Sequence, residues 1–170
     1  MIRLFFLGLL FLLLTSFELG FIYALPFPVD RLPLVLVVSV FAFQSLDIRQ
    51  SAWWVVLHGV MLDFLRVSFV PWEAVSYGVA SIVLILASRH LFSNRSFWGV
   101  LGTFTLGLVA LLCMEILFAI GKVFLGGYPL SLQELLSLRA WGWLLGLIFL
   151  FLLYPLTSFI TRVRSKLFAS

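Results

Sequence analysis

Six side chains carry charge, or titrate, among apolar neighbours: Glu18, His58, Asp63, Arg66, Glu73 and Glu115. A carboxylate or guanidinium at the centre of a bilayer costs at least ~2.5–3.5 kcal/mol on insertion scales, so each needs a partner or a purpose. Asp63 and Arg66 are three residues apart, and a helix places them on one face where they can pair. Gly59, one turn before Asp63, lets a neighbouring backbone come close. The plain reading is a neutralised pair near a helix end, with Arg66 reaching for the interface. The alternative is a contact or binding group.

Glu115 stands deep in its apolar run, and Lys122 follows seven residues later. That separation is about 10.5 Å of helical rise, long for a direct bridge. A bridge to another helix, a protonated carboxyl and a polar cavity all remain open. Glu73 opens a helix, where a carboxylate suits the dipole. Glu18 lies near a helix end, and His58 reads as a hydrogen-bonded packing residue. Asp63 and Glu115 are a two-carboxylate possibility that nothing in their spacing supports. The sequence holds no H-E-x-x-H, no G-x-S-x-G, no Walker lysine and no paired-cysteine motif. Neither a catalytic set nor a cofactor or metal is expected.

The elements that must position these groups follow from composition. The chain has 170 residues, 64% hydrophobic and 11% charged, with 19 Phe and 6 Trp. Soluble domains average about 45–50% apolar and about 25% charged. Soluble, disordered and disulfide-scaffold classes are thereby excluded, since Cys113 is the single cysteine. The expected fold is all-α, a polytopic membrane protein with about six helices in one compact bundle. Apolar runs cover residues 4–25, 34–46, 52–70, 72–91, 97–125 and 140–160 of a single domain, 1–170. The first run overruns a signal peptide's apolar stretch and is read as a retained helix. The second is short. The fifth exceeds the bilayer and should tilt, kink or protrude. Residues 131–139 read as an amphipathic segment along the membrane surface. All six tryptophans fall near expected helix ends, the place of interfacial anchors.

Small residues mark packing faces. Gly99, Thr103 and Gly107 recur every fourth residue, and Gly142 and Gly146 repeat the spacing. No half-repeat of the transporter kind is visible. The net charge of +4 comes from Lys and Arg at the edges of apolar runs, clustered only at Arg162, Arg164 and Lys166. These read as positive-inside anchors on anionic lipid headgroups, with no nucleic-acid partner. With six spans, seven basic residues share the side of the termini and four lie opposite, at Arg31, Arg66, Lys122 and Arg139. Both termini are expected in the cytoplasm.

The stretch from His58 to Trp72, HGVMLDFLRVSFVPW, resembles the signature of the rod shape-determining MreD family. That family has about this length and six spans, with a Gly-x-x-x-Asp helix, a short turn and a further apolar helix. Many members carry a glycine in the turn, where this chain has residues 66–71, RVSFVP. Gly59 and Asp63 match the motif; Arg66 and Glu115 are added here as partner-contact candidates. The resemblance implies a non-enzymatic subunit of the bacterial cell-elongation complex in the cytoplasmic membrane. Its partners would be an MreC-like scaffold, then a RodA-type polymerase and a class B penicillin-binding protein, and indirectly MreB filaments. MreD-like chains also resemble the substrate-binding S components of energy-coupling-factor vitamin transporters. In that alternative Glu18, Asp63, Arg66 and Glu115 would line a pocket open to the outside.

Overall fold

A computed structural model describes residues 2–67, 70–92, 96–124 and 131–168, with side chains apart from those of residues 2–4, 122, 132, 134 and 158–168. The turn residues Ser68 and Phe69, the polar break at 93–95 and the break at 126–129 lie outside the described residues. So do the side chains of Lys122, Arg162, Arg164 and Lys166. Every regular element among the described residues is helical: α1 (Ile2–Gly20), α2 (Leu34–Ser45), α3 (Ser51–Arg66), α4 (Trp72–Leu86), α5 (Phe97–Phe124) and α6 (Leu132–Phe168). Two 3-10 turns, Ile22–Ala24 and Val29–Arg31, join α1 to α2, and a π turn, Ala87–Leu91, closes α4. The fold is an all-α membrane bundle.

Four segments are long and apolar enough to cross a membrane: Phe5–Ala24, Trp72–Leu91, Phe97–Gly121 and Leu135–Thr157. The runs at 34–46 and 52–70 give shorter helices. At 1.5 Å per residue, α2 with 12 residues rises about 18 Å and α3 with 16 about 24 Å, against a hydrocarbon core of ~30 Å. A short helix is tolerated where protein, not lipid, surrounds it. α2 meets that condition: Leu34, Val35, Leu36, Val37, Val40, Phe41 and Ala42 are all buried. Its residues join both core clusters, one with α3–α6 and one with Phe11 of α1 and Trp54 of α3.

Pro26, Pro28 and Pro33 break the chain before α2, and Pro71 precedes α4. A proline just before the first turn fits, because amides there have no intrahelical acceptor. α3 ends at Arg66 because Val67 adopts the left-handed conformation, φ 49°, and its amide closes on Asp63 and Phe64. Hydroxyls join the helices: Ser51 Oγ donates to Ser39 O at 3.0 Å, and Ser81 Oγ to Ala52 O at 2.8 Å. The outer faces carry apolar side chains such as Phe64, 81% exposed, and Trp98, 74% exposed. In a lipid solvent such exposure carries no penalty.

Two expectations change. Residues 131–139 do not form a separate surface helix; from Leu132 on they are the first turns of a 37-residue α6. Arg139 holds them against α5 through Glu115. Trp54 is no interfacial anchor: it is 4% exposed, with its ring 6.4 Å from that of Phe11.

Candidate functional site

The site is built on the α3–α4 hairpin. A Cβ placed on Gly59 would stand 2.7 Å from both Glu73 O and Tyr77 Cβ. α4 therefore crosses α3 in direct backbone contact, and only glycine leaves room. One turn on, Asp63 accepts from Glu73 N at 3.1 Å and Ala74 N at 2.7 Å. A helix N-terminus presents amides without intrahelical acceptors, and a carboxylate there satisfies them and complements the dipole. Here the capping oxygen comes from the preceding helix. Gly59 sets the distance between the helices, and Asp63 fixes where α4 begins.

Arg66 then reaches across the hairpin to the Glu73 carboxylate. Glu115 bonds Arg139 through both carboxylate oxygens, one of them 2.8 Å from Nε. Of the options open for Glu115, the bridge to another helix is formed, and the carboxylate also lines a polar cavity. Such a two-point contact fixes orientation as well as distance. Asp30 pairs with its neighbour Arg31 at 2.9 Å.

Glu18 is placed differently. It is 2% exposed, its Oε2 accepts from Val35 N at 2.6 Å, and the Tyr23 hydroxyl bonds it as well. Its Oε1 faces His58 Nε2 at 3.6 Å. Among the described residues neither ring nitrogen of His58 has a hydrogen-bond partner, although the residue is 1% exposed, and its ring lies edge-on to Tyr77 at 5.4 Å. The expected hydrogen-bonded packing histidine is thus a packed one that faces a buried acid.

Most of these groups line a cavity of about 390 Å³, to which His58 and Asp63 do not contribute. Glu18, Glu73 and Glu115 line it with Asp30, Arg31, Arg66, Arg139, Tyr23 and Tyr77. The lining comes from the α1–α2 connection, the α3–α4 hairpin and the facing parts of α5 and α6. The α1–α2 connection and the adjoining ends of α3 and α4 therefore lie at the same end of the bundle as the cavity. Asp63 stands behind this wall and supports it.

The packing candidates divide by neighbour. Gly146 lies against the Phe104 ring of α5, Gly142 against Arg31 O, and Gly107 against Leu84 of α4. Gly99 is buried, and its carbonyl accepts from Thr103 Oγ1 at 2.9 Å. They serve contacts inside the chain. Arg139, Tyr23 and Tyr77 escaped the sequence reading. Arg139 was absorbed into the amphipathic segment, and the tyrosines were indistinguishable from other aromatics. The available signal was arithmetic: Arg139 is the cation that Glu115 lacked within its own helix.

Among the described residues no three His, Cys, Asp or Glu side chains converge as a metal site would require. The cavity is lined by opposite charges held in pairs, Arg31 with Asp30, Arg66 with Glu73 and Arg139 with Glu115. No family model, curated protein or solved structure matches the chain.

Proposed function

We propose that this chain is a non-enzymatic membrane subunit of the bacterial cell-elongation complex, of the MreD type. It would cross the cytoplasmic membrane six times with both termini in the cytoplasm, and bind an MreC-like scaffold. Through that scaffold it would help position a RodA-type polymerase and a class B penicillin-binding protein, in step with MreB filaments. The observation that carries this reading is the use made of the resembling stretch. The stretch holds the last turns of α3 and the first residue of α4, and its two motif residues make the contacts between these helices, Gly59 under Glu73 and Asp63 on the amides of Glu73 and Ala74. A motif spent on holding two helices in register suits a protein that works by packing. In this orientation the cavity opens on the outer face, where the scaffold's extracytoplasmic part would stand.

Depleting the protein from its own host tests the proposal. Wider or rounded cells with loss of side-wall synthesis are expected, and unchanged width and wall incorporation would overturn it.

The cavity favours a second reading. An energy-coupling-factor S component needs groups to grip a solute, and the short outer loops supply few. The helices supply them instead, in Glu18, Arg66, Glu73, Glu115 and Arg139. On that reading the chain would pair with a coupling subunit and its ATPases.

A further inference from the structure

Among the described residues lining the cavity, four carboxyl groups face three guanidinium groups. Arg31 pairs with Asp30, Arg66 with Glu73 and Arg139 with Glu115. Glu18 is the fourth carboxylate, and among the described residues its partner for an ion pair is the histidine ring at 3.6 Å. Ionising a buried carboxyl without a cation is costly, so a positive group arriving at the cavity floor would supply the partner that Glu18 needs to carry charge. The rim is complementary to a negative one. The Arg31 and Arg66 side chains are 44% and 59% exposed. A guanidinium has five N–H donors and a carboxylate engages about two, so donors remain for a second anion.

Depth gives the source of such a ligand. Glu18 lies six residues before the end of its apolar span at Ala24, and Glu115 six before Gly121. Both are thus about 9 Å from the same end of the bundle. Arg139 lies four residues inside Leu135, and Glu73 one inside Trp72. That is where headgroups meet hydrocarbon. Phe21 and Phe27, beside the lining residues of the α1–α2 connection, are more than half exposed, as suits acyl-chain contact. A volume of about 390 Å³ lies at the small end of ligand pockets, which run from about 300 to 1,000 Å³.

We infer that the cavity binds a primary ammonium joined by a short linker to a phosphate, with the ammonium on Glu18 and the phosphate on the rim arginines. Phosphatidylethanolamine headgroups and free phosphoethanolamine share this chemistry. A choline group fits poorly, because trimethylammonium has no N–H donor and Glu18 is already enclosed by Val35, Tyr23 and His58. The inference rests on the cavity alone and stands with either reading of function.

The test uses the full chain in two arms. Phosphoethanolamine and phosphocholine are titrated calorimetrically into protein in detergent, and native mass spectrometry follows phosphatidylethanolamine against phosphatidylcholine. At least a tenfold preference for the ethanolamine form is expected in one arm. Preference for the lipid alone identifies a headgroup site, and preference for the soluble compound identifies a free solute. Glu18→Gln keeps an acceptor for Val35 N and should abolish the preference. Arg66→Gln, at the exposed rim, should weaken both ethanolamine and choline forms about tenfold. Equal binding of the two forms in both arms, or no binding in either, overturns the inference even if the variants fail to fold. An unaltered preference in folded Glu18→Gln overturns it too.

Discussion

The Asp63 carboxylate on α3 takes a 2.7 Å hydrogen bond from the backbone amide of Ala74, in the first turn of α4 and eleven residues later. With the Glu73 amide on its other oxygen, one side chain ends one helix's influence and starts the next. The hairpin it closes carries Arg66, Glu73 and Tyr77 into the cavity wall. Asp63 therefore acts on the site by placing it.

Removing that cap should loosen α4 without preventing insertion. Asp63→Ala is expected to cost about 0.5–2 kcal/mol, the usual range for a lost N-cap, while Asp63→Asn keeps one acceptor and loses less. Thermal unfolding in detergent reads the difference. Partner copurification should weaken with Asp63→Ala, and an unchanged melting temperature with full copurification would count against this role.

Gly59→Ala should be at least as damaging. The added Cβ meets Glu73 O and Tyr77 Cβ at 2.7 Å, and a helix backbone cannot give way as a side-chain tip can. Overpacking of this kind costs about 1–3 kcal/mol. Gly8→Ala, whose Cβ would have nothing within 4 Å, is the matched control and should be neutral or slightly stabilising.

Glu115 and Arg139 should show strong coupling. Their side chains are 28% and 24% exposed, so removing either strands an ion in a partly apolar place. Glu115→Gln or Arg139→Gln is expected to cost up to about 3 kcal/mol, and the double variant less than the sum of the two. Additive losses in a double-mutant cycle would show that the pair is not a unit.

Orientation can be read with cysteines placed at the two ends. In a Cys113→Ala background, Val29→Cys lies at the cavity end and Gln50→Cys at the opposite end, both at exposed positions. A membrane-impermeant maleimide on intact spheroplasts should label the first and spare the second. The reverse pattern would turn the bundle over and place the cavity in the cytoplasmic leaflet.

The sequence was most informative about solvent and least about partners. Apolar runs marked all six helices, because lipid demands apolar surface wherever backbone is exposed to it. They could not show that α2 needs none of that surface, since a helix buried by protein and one facing lipid are equally apolar. Asp63 and Gly59 were legible as a motif, yet their shared target, the start of α4, lies across a turn that spacing alone does not close. Glu115 was legible as a charge in want of a partner. Its cation, Arg139, is 24 residues away on α6, hidden in a segment whose alternating pattern also fits a surface helix. Trp54 misled for a related reason: aromatic side chains near a helix end pack inward or outward, and only the neighbour Phe11 decides which.

Affinity purification of the tagged protein from its native membrane in mild detergent, with mass spectrometry of what accompanies it, tests the proposed function most directly. An MreC-like scaffold together with a RodA-type polymerase and a class B penicillin-binding protein is the predicted result. A coupling protein with its ATPases, and none of the elongation proteins, would contradict it.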